Sequence, residues 1–391
     1  MTAGENSHAS VLDRVQYLDV VRVLSMGSVV FLHSAARSLR AGYGSSVWHF
    51  VNVLTSVMSA AVPLFFMLSG ALLLSSPRTL SIGYTLRRRV PRLLVPFLTW
   101  SLLAVIYYFV LEWRATSTPD WAGAVDKLKH LPAQPTAIAL WFLYALIPLY
   151  ILSPLIKRLV DSLSREAAIY LVALWVFFSC ILPTAASFAP VWFRPLLTLD
   201  SRYDLNAIAG YAGYFVVGYY LMRMRRPVAK KWLVAIICVD LVAIALGTWG
   251  KTTETGAYNE VFKTYTHLFT VVMSCALFLL CKELLRAKAL GTVTARAVQV
   301  VTPLAFGVYL VHSLLVDLFS RLTDWSPASS IPVMIAYYLV VLAASVAFIG
   351  VMSAIKPLCW VLTGQRYSGW WRRIRRPPAA DAFEGSVTAR E

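Results

Sequence analysis

The sequence predicts an all-α membrane protein that crosses the bilayer about ten times, with both termini in the cytoplasm. Three observations support this prediction. The 391 residues are 59% hydrophobic and only 14% charged, with a mean hydropathy of +0.66, well above that of a soluble domain. Apolar segments long enough to span a bilayer recur along nearly the whole chain. The basic residues are concentrated on alternate connections between these segments, which indicates their orientation.

Ten apolar segments follow one another, and each is predicted to be a transmembrane helix. Their approximate limits are 15–37, 47–75, 93–113, 137–155, 167–183, 207–223, 232–250, 260–281, 298–320 and 331–355. The polar residues 1–14 are predicted to form a flexible cytoplasmic N-terminus, and residues 15–356 the membrane domain. Residues 357–391 are predicted to form a cytoplasmic tail that is first basic and then disordered.

The distribution of Lys and Arg sets the predicted topology. With the N-terminus in the cytoplasm, 25 of the 36 Lys and Arg residues lie on cytoplasmic segments, ten lie on the opposite side and Arg22 lies within the membrane. The formal net charge of +17 is therefore explained by topology and by contact with anionic membrane lipids. No nucleic-acid partner is expected. The five cysteines lack metal-ligand spacing, so no metal site is expected either.

Three ionisable residues in the first apolar segment are the main candidates for chemistry. Arg22 and His33 are eleven residues apart, which places both side chains on one face of a helix, and Asp19 lies near the same face. Ionisable side chains within the membrane are costly and mark functional sites. A continuous helix separates Arg22 from His33 by about 16 Å, so they cannot touch unless the helix breaks, for example near Gly27. Arg22 is therefore expected to pair with Asp19 or to serve a channel.

Four arginines follow the second apolar segment, in the cytoplasmic connection that includes Arg87, Arg88, Arg89 and Arg92. Arginines at this depth commonly bind lipid phosphates. A soluble ligand rich in phosphate is the alternative, because a guanidinium group matches phosphate oxygens. The preceding Ser69-Gly70 allows close helix packing and also supplies a hydroxyl group.

Five short motifs occur in order along most of the membrane domain. They are Arg22-x10-His33, Phe65-Phe-x-x-Ser-Gly70, Arg89-x-x-Arg92, Ile138-Ala-Leu-Trp-Phe-Leu-Tyr144 and Phe306-Gly-Val-Tyr-Leu-Val-His312. In these motifs the chain resembles the integral-membrane acyltransferase-3 family. The resemblance implies ten core helices and transfer of an acyl group, commonly acetyl from acetyl-CoA, to sugars or glycolipids outside the cytoplasm. It implies a multi-pass protein of the bacterial inner membrane, with acyl-CoA as co-substrate and no tightly bound cofactor.

The resemblance also implies roles for individual residues. His33 is the essential histidine, Arg22 is its motif partner, and Arg89 and Arg92 bind the donor, with Arg87 or Arg88 as further contacts. A neutral imidazole at position 33 is suited to take the proton of the acceptor hydroxyl from the inner end of a polar cavity. A transient acyl-histidine is the alternative. Ser69 with the adjacent Phe pair would shape the acyl pocket.

Candidates for the acceptor site are less well defined. Asp204 lies in a polar, aromatic outer loop, and Trp141 and Tyr144 belong to a family motif. His312, followed by Asp317 five residues later, lies near the outer end of the ninth segment and is either a structural histidine or an acceptor contact. Asp240 in the seventh segment is either a packing residue or a handler of protons or substrate.

Two other classes of protein fit parts of the pattern. A transporter or flippase of a lipid-linked saccharide would also have about ten helices, basic inner loops and a few buried charges. A membrane sensor or scaffold would also span the bilayer but would catalyse no reaction. Neither has a reason to combine an intramembrane histidine with an inner arginine cluster. The sequence therefore favours an O-acyltransferase. It leaves open the acceptor, which includes polysaccharides and trehalose-type glycolipids, and the acyl group.

Overall fold

The computed structural model describes residues 3–198, 210–287, 290–323, 325–365 and 367, with side chains from Gln16 onward. Within these ranges the regular secondary structure is entirely helical. The predicted all-α class is therefore confirmed. Asp204 lies outside the described residues, as do residues 368–391, which include most of the predicted basic tail.

Seventeen α-helices can be assigned in the described ranges. The first nine are α1 (Ala3–Ala41), α2 (Ser46–Met58), α3 (Ala61–Ser75), α4 (Ile82–Tyr84), α5 (Pro91–Thr116), α6 (Trp121–Lys129), α7 (Trp141–Ser162), α8 (Arg165–Trp175) and α9 (Leu182–Phe188). The other eight are α10 (Arg194–Leu197), α11 (Tyr211–Arg223), α12 (Lys230–Thr255), α13 (Leu268–Ala287), α14 (Thr292–Val301), α15 (Ala305–Leu322), α16 (Ile331–Ser353) and α17 (Lys356–Thr363). Short π-helical turns at Thr85–Arg89 and Val176–Ile181 precede α5 and α9.

Nine helical segments of the described chain are long and apolar enough to cross a membrane. They correspond to nine of the ten predicted spans and make this a multi-pass membrane protein. The predicted sixth span, 207–223, is represented by α11, which has 13 residues and is too short to count as a span by itself. The cytoplasmic location of both termini stays a prediction from the charge distribution.

The predicted second span is divided into α2 and α3 by a break at residues 59 and 60. Pro63 has no amide hydrogen to donate to the carbonyl of Ser59, so the helical ladder is interrupted at that point. Hydroxyl groups just before the break bond to backbone carbonyls, including Ser59 Oγ to Ser56 O at 2.8 Å. The break thus has a local cause, although an apolar run of this length predicts a single helix.

Helix α1 is at the centre of the bundle and packs against α2, α3, α13, α15 and α16. Helices α3 and α11 cross at two glycines. A Cβ atom on Gly70 would lie 1.8 Å from Phe215 O, and one on Gly218 would lie 2.0 Å from Met67 O. The absence of both side chains lets the two backbones touch, as small residues do in membrane helix pairs. Gly70 therefore has the packing role that the sequence left open.

Candidate functional site

Helix α1 runs without interruption through Gly27, so Arg22 and His33 lie about 16 Å apart along one helix axis. Arg22 Nη1 donates to Asp19 Oδ1 at 3.3 Å, one turn earlier on the same helix. Both side chains of this pair are partly exposed, at 29% for Arg22 and 27% for Asp19. Arg22 therefore contacts Asp19 and does not orient the ring of His33.

A cavity of about 300 Å³ lies beside Arg22. Its walls come from α1, α3, α5, α7, the start of α15 and the turn after α17. The lining residues are Arg22, Phe65, Leu68, Ser69, Leu72, Leu73, Arg92, Leu93, Phe142, Leu146, Tyr150, Thr302, Phe306, Tyr309, Thr363, Gly364 and Gln365. Ser69 is thus a cavity residue, as is the first phenylalanine of the predicted pair. The cavity contains two arginines and also a wall of aromatic rings, so it can accept an anionic group and an apolar one.

Two arginines line the polar part of this cavity. They are Arg22 and Arg92, and the hydroxyl groups of Ser69 and Tyr150 belong to residues of the same lining. Side chains from α1, α3, α5 and α7 therefore meet at one place, where guanidinium groups can bind phosphate oxygens.

The arginines after α3 do not share one environment. Arg89 donates from Nη2 to Ser76 Oγ at 2.8 Å and from Nη1 to Thr79 Oγ1, and its guanidinium group lies over the Tyr84 ring at 5.4 Å. These contacts tie the start of α5 to the end of α3. Arg87 and Arg88 are exposed at the surface. All three lie in a π-helical turn, in which Arg89 is partly buried while Arg87 and Arg88 are exposed.

Aromatic side chains form the other end of the cavity. The Tyr309 ring lies 5.8 Å from Phe65 and 5.3 Å from Phe142, and its hydroxyl donates to Ala139 O at 2.7 Å. The same ring lies 5.6 Å from that of His312. Tyr309 therefore contacts both the aromatic residues of the cavity and one member of a pair of histidines.

The second member of that histidine pair is His33. The imidazole rings of His33 and His312 have centroids 5.0 Å apart and are tilted by 57°. His312 is completely buried, whereas His33 is partly accessible. This separation allows one hydrogen bond between ring nitrogens. The sequence predicts unrelated roles for the two histidines, and the fold places their rings side by side.

The hydrogen bonds of His312 define its tautomer. Its Nδ1 lies 2.6 Å from Tyr309 O, and because a carbonyl oxygen only accepts, Nδ1 carries the proton. In the neutral ring the lone pair is then on Nε2. That atom is buried and has no hydrogen-bond partner among the described residues. Buried polar atoms are rarely left unpaired, so Nε2 of His312 is available to accept a hydrogen bond from a neighbour or a substrate.

The remaining predicted acceptor residues are not part of this cavity. Trp141 stacks on Tyr265 at 5.4 Å, and the Tyr144 hydroxyl donates to Leu131 O and Gln134 O in the loop before α7. Asp317 accepts from Tyr107 and from Arg321, both at 2.8 Å, and so joins α15 to α5. These three side chains contact other parts of the bundle and do not line the candidate site.

Asp240 is 4% exposed in α12, and its Oδ2 is unpaired within the described part of the chain. It does not line the cavity beside Arg22. No group of three or more His, Cys, Asp or Glu residues in the described ranges is arranged to bind a metal ion.

A second cavity, of about 450 Å³, lies between α7, α8 and α11. Its walls are almost entirely apolar and include Pro148, Leu152, Trp175, Tyr211 and Val216. No carboxylate, imidazole or basic group lines it. The larger cavity therefore lacks the side chains that group transfer needs, and the smaller one beside Arg22 is the candidate site.

Sequence reasoning missed two kinds of site residue. Tyr309 lies three residues before His312 in the same motif, so the sequence contains a signal for it. Tyr150 and the turn Thr363–Gln365 carried no recognisable signal, because only the packing of α7 and α17 brings them to the cavity.

Comparison with protein families supports the same assignment. A family model described as an acyltransferase domain matches residues 15–350, which include Asp19, Arg22, His33, the arginine cluster and His312. No curated protein and no solved structure gave a significant match. The family match covers most of the chain and all of the spanning helices except the last three residues of α16. The chain therefore belongs to the acyltransferase-3 family of multi-pass membrane acyltransferases.

Proposed function

We propose that this protein transfers an acyl group, most simply acetyl, from acyl-CoA to a hydroxyl group of an extracytoplasmic sugar, polysaccharide or glycolipid. One observation carries the proposal: a single cavity is lined by Arg22 and Arg92 and by Tyr309, whose ring lies 5.6 Å from that of His312, the neighbour of His33. A site suited to a phosphate-bearing donor therefore lies close to a histidine that can act as a base.

The donor end is formed by Arg22 and Arg92. The CoA head group carries several phosphates and is made in the cytoplasm, which is where the charge distribution places the start of α5. Guanidinium groups are suited to phosphates because they donate paired hydrogen bonds in a fixed plane. The pantetheine arm of CoA is long and largely uncharged, so it suits the section of cavity between Ser69 and Phe142.

The reactive end is the histidine pair. His33 takes the proton of the acceptor hydroxyl while the hydroxyl oxygen attacks the thioester carbonyl. The carbon–sulfur bond then breaks, CoA leaves as the thiolate, and the proton held by His33 is passed to that sulfur. His312 Nε2, which is unpaired among the described residues, is placed to accept a hydrogen bond from His33 in the reacting complex and would then orient the ring of the base, a task that a carboxylate performs in many hydrolases.

The alternative, an acyl-histidine at position 33, uses the same residues in two steps. The two routes differ kinetically, because a base requires donor and acceptor to be bound together, whereas an acyl-enzyme gives a ping-pong pattern. We expect the loops that connect the helices outside the cytoplasm to determine which acceptor binds.

The experiment that tests the proposal uses a strain lacking this protein, complemented with the wild type or with His33→Ala. Mass spectrometry of envelope glycans and glycolipids should show an acyl modification that only the wild type restores. In parallel, purified protein should be thermally stabilised by acetyl-CoA. A purified wild type with no affinity for any acyl-CoA and a deletion strain with unchanged glycans would contradict the proposal and favour a transporter of lipid-linked saccharide.

A further inference from the structure

The turn at the end of α17 lies outside the residues matched by the family model, which end at residue 350, yet it forms part of the cavity wall. Thr363, Gly364 and Gln365 all line the cavity together with Arg92. This chain thus completes the site with a segment that follows its last spanning helix.

Local sequence determines the shape of this segment. Pro357 is at the first turn of α17, where a missing amide hydrogen costs nothing. Gly364 ends the helix with a φ of +64°, and its amide donates to Trp360 O at 2.8 Å. This is the left-handed cap that glycine favours. The chain therefore stops after two turns and turns back toward the bundle.

The turn makes direct backbone contact with the start of α5. A Cβ atom on Gly364 would lie 1.9 Å from the carbonyl oxygen of Arg92 and 2.8 Å from its carbonyl carbon. Two turns further along α5, Trp100 Nε1 donates to Leu362 O at 3.0 Å. Because glycine has no side chain, the backbone that carries Arg92 rests against the turn.

A second contact ties the same turn to the helix opposite. The side-chain amide of Gln365 donates to Pro303 O, in the 3₁₀ turn that leads into α15. Thr302 and Phe306 on either side of Pro303 also line the cavity. The turn after α17 therefore contacts two walls of the cavity. One is the start of α5, which carries Arg92, and the other is the turn that leads into α15, the helix of Tyr309.

We propose that the turn Thr363–Gln365 is part of the acyl-donor site and that Gly364 is a positioning residue for Arg92. The proposal rests on the proposed function and adds to it a structural element of the donor site. The turn sets where the Arg92 guanidinium group lies relative to Arg22, and it closes the cavity between α5 and α15. Donor affinity thereby depends on a segment of the chain that follows the residues matched by the family model.

The test compares Gly364→Ala with Gly256→Ala. Both glycines end a helix in the left-handed conformation, at φ +64° and +69°, so both substitutions carry the same backbone strain. A Cβ atom on Gly256 meets nothing within 4 Å, whereas one on Gly364 meets the backbone of Arg92. Binding of acetyl-CoA to the purified full-length variants is measured by calorimetry, and donor KM, acceptor KM and kcat are measured separately.

We expect Gly364→Ala to raise the Kd and KM for acetyl-CoA about tenfold, with acceptor KM unchanged, and Gly256→Ala to leave donor affinity within about twofold of the wild type. A Gly364→Ala protein that melts like Gly256→Ala and binds acetyl-CoA like the wild type would overturn this inference alone. If Gly364→Ala does not fold, Gln365→Ala takes its place. We then expect Gln365→Ala to raise the Kd and KM for acetyl-CoA, and wild-type binding by a folded Gln365→Ala would overturn this inference. Absence of acetyl-CoA binding by the wild type would overturn the proposed function as well.

Discussion

The ring of His33 lies 5.0 Å from the ring of His312, and these residues belong to the first and the second-to-last long helices of the membrane domain. Nδ1 of His312 is committed to Tyr309 O, so its Nε2 is the atom free to face a neighbour. Many hydrolases orient their histidine with an aspartate, whereas the ring beside His33 is a second, fully buried imidazole. A neutral imidazole adds no charge to the apolar interior.

Replacement of the two histidines should have different consequences. We expect His33→Ala to abolish transfer, and His312→Ala to lower kcat about 10²- to 10⁴-fold while leaving acetyl-CoA affinity unchanged, because only the orientation of the base is lost. His49→Ala, at an exposed position of α2, is the control and should retain wild-type activity. The measurements are kcat and donor Kd on purified protein. Near-normal transfer by stably folded His33→Ala would contradict the assignment of the base.

We expect Arg89 to stabilise the fold and Arg92 to bind the donor. Arg89 bonds to Ser76 and Thr79, so Arg89→Ala should lower the free energy of unfolding by about 1.5–3 kcal/mol, the usual loss for hydrogen bonds to a charged group. Arg92→Ala should leave the Tm close to that of the wild type and raise donor KM. Arg88→Ala, which is exposed, should change neither quantity.

Thermal denaturation and donor titrations of these three variants provide the measurement. The division of roles would be wrong if Arg92→Ala lost stability while Arg89→Ala lost only donor affinity. Equal effects of Arg88→Ala and Arg92→Ala would indicate that surface charge alone attracts the donor.

Close packing of α3 on α11 should make Gly70 intolerant of any side chain. A Cβ atom there would overlap Phe215 O, so Gly70→Ala must push the helices apart and should cost about 1–3 kcal/mol in stability. Gly250→Ala, on α12, is the matched control because a Cβ atom meets nothing within 4 Å, and it should be neutral or slightly stabilising. A melting comparison in detergent tests this, and equal Tm values for the two variants would show that the α3–α11 contact is not tight.

The predicted orientation can be tested by cysteine labelling in a background without the five native cysteines. Thr118→Cys, in the exposed connection after α5, should react with a membrane-impermeant maleimide in intact cells. Arg88→Cys, equally exposed but before α5, should react only after the membrane is opened. Labelling of Arg88→Cys from outside would invert the topology and place the arginine cluster on the wrong side for a cytoplasmic donor.

The family, the helical class and the multi-pass character followed from the sequence alone. Each depends on properties that are local in the chain: runs of apolar residues, the density of Lys and Arg between them, and short motifs in a fixed order. The separation of Arg22 and His33 along α1 was also predictable, since the rise of a helix is constant. Even the break before Pro63 has a local cause, although the continuous apolar run predicts a single helix there.

Only the tertiary structure decided which of these residues share a site. His33 and His312 meet because α1 packs against α15, and Arg22 and Arg92 line one cavity because α1 and α5 both contribute to its walls. Arg89 and Arg92 look equivalent in the motif, yet Arg89 bonds to Ser76 whereas Arg92 lines the cavity. Contacts between distant segments depend on how helices pack side by side, and no local pattern in the chain encodes that arrangement.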